Sequence, residues 1–140
     1  MLFRSKAIQQ ILSTLNYVGV LAIEFFEVDG KYLVNEMAPR VHNTGHWTIE
    51  GAVTSQFENH VRAVMGLPLG NTDLRFPTAM INIIGTLPDP HKLLAIPGAH
   101  IHLYGKEPRP GRKLGHLTIE AQNKESLEAR MAQALVYFNA

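Results

Sequence analysis

Val28-Asp29-Gly30-Lys31 lies between two runs of strand-forming residues, and the chain must double back there. Asp-Gly tolerates the positive φ angles of a tight hairpin turn, so the pair is a strong local signal. Tyr17-Val18-Gly19-Val20-Leu21-Ala22-Ile23-Glu24-Phe25-Phe26 reads as the outgoing strand, and Tyr32-Leu33-Val34-Asn35-Glu36 as the returning one. Ala7, Ile8, Ile11, Leu12 and Leu15 recur at helical spacing, which predicts an amphipathic helix over about residues 5–16. The chain therefore begins as a helix followed by an antiparallel hairpin.

Residues 38–54 lack periodicity and contain Pro39, Asn43, Gly45 and Gly51, which predicts a long loop, the kind of segment that tends to carry function. Ser55, with Glu58 three residues on, predicts the capped start of a helix running to about Met65. Phe57, Val61, Val64 and Met65 form its apolar stripe and Gly66 ends it. The prolines, glycine and charges of Leu67–Pro77 place a boundary there, giving domains 1–76 and 77–140. In the second domain, strands are predicted at about 78–84, 99–104 and 114–119, punctuated by Pro88, Pro90, Pro97, Gly98, Pro108, Pro110 and Gly111. A last helix is predicted from about Lys124 to Tyr137, with Leu127, Met131, Leu135 and Phe138 on one face. The predicted class is α+β: a helix, hairpin and helix followed by a small β-rich domain closed by a helix.

The chain has 140 residues, 46% hydrophobic and 18% charged, enough to build a core. A net charge of +1 argues against nucleic-acid binding dominated by backbone charge. With no cysteine, disulfides, thiolate metal sites and cysteine nucleophiles are excluded, which fits a cytoplasmic protein. No signal peptide and no membrane span is legible, so a membrane partner is not expected.

Glu24 and Glu36 each interrupt an apolar strand, where a charge is costly unless paired. A two-residue turn at Asp29-Gly30 would set Glu24 opposite Asn35. One extra loop residue would set it opposite Glu36, on the same face. Opposed carboxylates roughly 5 Å apart repel by about 3 kcal/mol at an effective dielectric near 20. A divalent cation reverses the sign of that contribution, and oxygen donors suit magnesium bridging to phosphates. Glu24, Glu36 and Asn35 thus read as a magnesium–nucleotide site. The plain alternative is two edge-strand glutamates facing water.

Arg40, His42 and Asn43 follow in the loop. They offer a guanidinium, an imidazole and an amide, donors that suit a small planar anion such as bicarbonate or a mixed anhydride. His42 is also placed to move a proton near neutral pH. His42 and His46 have the spacing of a zinc pair, but only on a helix, and Pro39 and Gly45 argue for a loop. His46 and Trp47 are as readily explained by packing. Lys106, Arg109, Arg112 and Lys113 put four cations into eight residues stiffened by Pro108 and Pro110. A phosphate monoester is the natural guest for such a turn, and a solvated hairpin tip is the alternative.

The runs Gly19–Phe26, Val34–Thr48 and Lys106–His116 together resemble 5-(carboxyamino)imidazole ribonucleotide synthases, a family of the ATP-grasp superfamily. Ser55–Glu58 and Ala79–Gly85 fit the same family, so the resemblance covers almost the whole chain. It implies a ligase of purine biosynthesis that uses ATP and bicarbonate to carboxylate aminoimidazole ribonucleotide through carboxyphosphate. By that resemblance Glu24 and Glu36 hold Mg2+, with Asn35 and Glu36 at the ATP phosphates. Arg40, His42 and Asn43 surround bicarbonate or carboxyphosphate. Lys106, Arg112 and Lys113 hold the ribonucleotide phosphate. Family members are expected to be homodimers and to carry an N-terminal α/β domain and an adenine-clamping lid that have no counterpart here. The chain is therefore expected to be a C-terminal fragment, inactive alone. The competing expectations are another carboxylating or formylating ATP-grasp ligase, and a non-catalytic interaction module that has kept the fold.

Overall fold

The computed structural model describes residues 2–138, with side chains at Lys6 and from Ile8 onward; the side chain of Ala7, part of the predicted stripe, lies outside the described residues. The elements are α1 (Leu2–Leu15), β1 (Ala22–Val28), β2 (Lys31–Ala38), a 3-10 turn (Asn43–Gly45), α2 (Thr48–Gly51), α3 (Gln56–Val64), β3 (Thr78–Ile84), α4 (Pro90–Leu94), β4 (Ala99–Leu103), β5 (Lys113–Glu120) and α5 (Lys124–Phe138). They fall into two units, Met1–His46 with Thr54–Asn71, and Trp47–Val53 with Thr72–Ala140.

In the first unit, α1 ends at Asn16, whose φ of 46° is the left-handed conformation that Asn tolerates past a helix C-terminus. Tyr17–Leu21, predicted as strand, is irregular instead. Its polar groups are met locally: the Tyr17 hydroxyl donates to the Val20 carbonyl (3.0 Å) and the Val20 N–H donates to His60 Nδ1 (3.0 Å). The strand starts at Ala22 because its partner ends there. Ala22 pairs with Ala38, and the next residue, Pro39, has no N–H to continue the ladder.

Val28 pairs with Lys31, so Asp29 and Gly30 form a two-residue turn, with φ of 50° and 72°. α3 starts as predicted, with Ser55 Oγ accepting from the Glu58 N–H (3.2 Å). The Glu58 carboxylate turns to Arg62 (3.0 Å to Nε) rather than back to the cap. Gly66, at φ 67°, terminates the helix. Val61, Val64 and Met65 of its predicted apolar stripe are exposed, not buried.

The second unit is a three-stranded antiparallel sheet in the order β3-β5-β4, with the last strand inserted between the other two. Side chains alternate across a strand. Leu117 and Ile119 of β5 enter a core with Leu93, Ile96 and Ala134, padded by Ile81, Ile101, Leu127, Met131 and Phe138. His116 and Thr118 point to the opposite face, and both are buried. The predicted last helix exists, but Ala134 takes the inward position assigned to Leu135, which is 43% exposed. The small residue lets α5 lie close to the sheet. The predicted gap around Pro88 and Pro90 contains α4: Asp89 accepts from the His91 N–H (2.9 Å), and Pro90 stands in the first turn where its missing N–H costs nothing.

Candidate functional site

The two strand acids face each other across the hairpin: Glu24 pairs with Glu36, and Phe25 pairs with Val34. Asn35 is therefore an extra residue, a β-bulge. The sequence poses a choice between a two-residue turn and opposed acids. The structure has both, because the added residue lies in β2 and not in the loop. Asn35 Nδ2 consequently reaches the same carboxylate, donating to Glu24 Oε2 (3.3 Å). The side chains of Glu24 and Glu36 are 40% and 51% exposed, so water reaches both. Their mutual repulsion falls toward the roughly 1 kcal/mol expected in bulk solvent.

Pro39 ends the ladder, and the loop that follows returns its side chains to these acids. His42 Nε2 lies 3.3 Å from Glu24 Oε1, and Arg40 Nη2 lies 3.7 Å from Glu36 Oε1. The two pairs differ in setting. Arg40 is 60% exposed, whereas the His42 side chain is only 11% exposed. The Thr44 N–H points at His42 Nδ1 (3.4 Å), with Thr44 Oγ1 at 2.9 Å. Nδ1 is then the acceptor, and the neutral ring carries its proton on Nε2, toward Glu24. Asn43 opens the 3-10 turn, and its side-chain oxygen is buried without a hydrogen-bond partner. Such an acceptor is costly to leave unmet.

Gln56 holds the loop in this shape. Its Oε1 accepts from the His42 N–H (3.0 Å), and its Nε2 donates to the His42 carbonyl (2.7 Å). One amide thereby imitates a strand partner for one residue. Nε2 also lies 2.8 Å from His46 Nδ1, and the His46 ring packs on Phe57 (centroids 5.0 Å apart), a packing role. Gln56 is not singled out by the sequence: an amide in the first turn of a helix carries no signal of a partner 14 residues away. Gln56→Ala is expected to cost about 2 kcal/mol in chemical denaturation, since two backbone groups lose their partner. The Nε2–H resonance of His42 should broaden in the same variant.

The other cations lie in the second unit, in the turn from β4 to β5. The Tyr104 N–H donates to the Leu114 carbonyl (2.9 Å) and the Arg112 N–H to the Arg109 carbonyl (3.0 Å), closing the turn at both levels. Lys106 is exposed, while Arg112 and Lys113 are half-buried where the chain enters β5. The ion pairs among the described residues involve Arg40, His42, Arg62, His102 and Lys124, and none uses a cation of this turn. Lys106 also borders a mainly apolar cavity of about 120 Å³ with Leu87, Leu103 and Leu114. Among the described residues, no three His, Cys, Asp or Glu side chains gather as a self-sufficient metal site. No helix among them is long and apolar enough to cross a membrane.

The glutamate on one strand and Asn-Glu on the next, ahead of the Arg-His-Asn loop, lie in the part of the chain that matches the ATP-grasp domain. The model of the ATP-grasp domain matches residues 4–57, and that of the phosphoribosylaminoimidazole carboxylase C-terminal domain matches residues 78–130. The N5-carboxyaminoimidazole ribonucleotide synthase of Vibrio vulnificus strain YJ016 is 59% identical over 121 residues, covering 86% of this chain and 32% of that protein. The crystal structure of N5-carboxyaminoimidazole ribonucleotide synthetase from Thermus thermophilus superposes with a TM-score of 0.84 at 56% identity, over 91% of this chain and 35% of that one. The Aspergillus clavatus synthase, solved with ADP and 5-aminoimidazole ribonucleotide, gives 0.76 at 39% identity, over 87% of this chain and 35% of that one. Over most of its length the chain is similar to N5-carboxyaminoimidazole ribonucleotide synthases, with an ATP-grasp match in its first part and a phosphoribosylaminoimidazole carboxylase C-terminal match in its second. It spans about a third of the length of these relatives.

Proposed function

We propose that this chain forms part of an ATP-dependent carbon–nitrogen ligase that carboxylates 5-aminoimidazole ribonucleotide with bicarbonate in purine biosynthesis. The observation that carries the reading is the convergence of Glu24, Asn35 and Glu36 with Arg40 and His42 in one unit. Residues 1–76 are the ATP-grasp portion and 77–140 the small C-terminal domain, of a homodimeric cytoplasmic enzyme.

Glu24 and Glu36 fit Mg2+. Two carboxylates without a third acid leave coordination positions for phosphate oxygens and water, the arrangement magnesium favours. When bound, the cation would neutralise charge on the phosphoryl group in transit. Asn35, fixed by its bond to Glu24, stands beside the ATP phosphates. Arg40 is the bidentate donor for bicarbonate or carboxyphosphate. His42 lines the same anion site while its Nε2–H holds the Glu24 carboxylate in place. The buried Asn43 oxygen accepts the bicarbonate hydroxyl or a substrate N–H, which supplies its missing partner. The γ-phosphoryl group passes from ATP to a bicarbonate oxygen, releasing ADP. The exocyclic amine then forms the C–N bond with the carboxyl carbon, or with carbon dioxide released from carboxyphosphate; phosphate departs and takes up the proton that the amine gives up. The protein's share is positioning and charge complementarity.

Lys106, Arg112 and Lys113 bind the phosphate of the ribonucleotide. In the complete ligase, Lys106→Ala is expected to raise KM for aminoimidazole ribonucleotide by roughly 10- to 100-fold, as loss of a charge-assisted hydrogen bond implies. Its kcat should stay within about threefold, because the phosphate is remote from the reacting amine. Bicarbonate-dependent ADP release, followed at varied ribonucleotide, measures both. An unchanged KM in the Lys106 and Arg112 variants would remove the turn from the site.

A further inference from the structure

A buried polar layer occupies the face of the second unit's sheet away from its apolar core. Glu50, in α2, lies 2.7 Å through Oε1 from His102 Nε2, and its side chain is only 10% exposed. The His102 ring stacks on that of His116, its cross-strand partner, with centroids 4.5 Å apart and planes 12° from parallel. His116 is 1% exposed, and its Nδ1 lies 2.7 Å from the Tyr104 hydroxyl. Burial pushes the Tyr104 phenol above its ordinary range, so its hydroxyl stays protonated while hydrogen-bonded to the imidazole. The Tyr104 ring in turn underlies the Lys106 ammonium, 5.6 Å from the ring centroid.

This layer is a poor way to stabilise a small sheet. Glu50 Oε2 is buried without a partner, as are Asn82 Oδ1 and Thr118 Oγ1. Buried charge only half satisfied is more costly than an apolar side chain of the same volume. The four linked side chains end at one place, the first residue of the basic turn.

We propose that Glu50, His102, His116 and Tyr104 form a positioning relay that fixes the Lys106 ammonium for a substrate phosphate. The inference rests on the assignment of this turn to the ribonucleotide phosphate. The relay residues touch each other and the turn. The hydroxyl of Tyr104 locks the ring at a fixed angle, the ring seats the ammonium, and Glu50 and His102 prevent His116 from turning away.

Calorimetry of the 140-residue chain with ribose 5-phosphate tests this. Tyr104→Phe keeps the ring and removes the hydroxyl, and is expected to weaken binding by roughly 3- to 10-fold. Glu50→Gln shifts affinity in the same direction. Lys106→Met weakens binding more, and adding Tyr104→Phe to it produces no further loss, because the relay acts through Lys106. A purely structural hydroxyl would lower the melting temperature and leave affinity unchanged, or its effect would multiply with that of Lys106→Met. Either result overturns the relay. If Lys106→Met weakens binding and Tyr104→Phe does not, only the relay is wrong. If the parent chain does not bind and Lys106→Met changes nothing, the phosphate assignment falls and the relay falls with it.

Discussion

Replacing Glu36 with Gln is expected to lower kcat of the complete ligase by about 10³-fold, the scale seen when one electrostatic contact to a transition state is removed, while leaving its melting temperature almost unchanged. The two readouts separate because the same carboxylate has different value to fold and to function. Glu36 is half exposed, and its contact with Arg40 is 3.7 Å in solvent. A surface pair of that kind contributes about 0–1 kcal/mol. Removing the charge also relieves its repulsion with Glu24, its cross-strand partner. Those small terms oppose each other. The loss in rate has no such offset, since half of the anionic pair that would hold the cation is gone. Glu27→Gln, on the same hairpin and facing Tyr32 in the register, is the control and should leave kcat unaltered. A Glu36→Gln enzyme that retains most of its rate would return the hairpin acids to solvated edge residues.

The largest effect on stability is expected at Gly115. A Cβ there would lie 2.0 Å from the His102 carbonyl oxygen and 3.2 Å from the Leu103 Cα. Both are backbone atoms of β4, held in the ladder against β5. They cannot move aside without breaking the pairing of His102 with His116 and of Leu103 with Gly115. Gly115→Ala is therefore expected to cost at least about 4 kcal/mol in urea unfolding, at the upper end for a single substitution. Gly66→Ala provides the contrast. That glycine has φ 67° but open space around it, so its cost is confined to the left-handed backbone, roughly 1–2 kcal/mol. Equal costs at the two sites would show that β4 and β5 are not as closely apposed as described.

What can be read in advance follows the range of the forces involved. The Asp29-Gly30 turn, the Ser55 cap and the Gly66 stop depend on residues within one or two turns of chain, and their chemistry is written locally. The bulge at Asn35 is not legible as such. No residue type marks it, and it reconciles a two-residue turn with opposed acids only once β2 is laid against β1. The irregular Tyr17–Leu21 stretch reads as strand by composition, but a strand needs a neighbour, and the neighbour stops at Pro39. α4 escapes a sequence reading because its prolines look like breaks, although Asp89-Pro90 is also a helix start. Leu135 is favoured over Ala134 for the core because periodicity ranks residues by apolarity and not by how closely two elements approach. Within the candidate site, the strand acids and Arg40, His42 and Asn43 are visible as charges and donors in unusual places. Gln56 and Glu50 are not, because their meaning lies in partners 14 and 52 residues away.

Manganese is the most direct probe of the hairpin centre, because a paramagnetic ion broadens only nuclei close to where it is held. Substoichiometric Mn2+ with the 15N-labelled chain should selectively bleach the amides of Glu24, Asn35 and Glu36 and the imidazole signals of His42, and this pattern should vanish in Glu24→Gln and Glu36→Gln. Bleaching that centres elsewhere, or that survives both substitutions, would contradict a divalent-cation site on opposed strand acids.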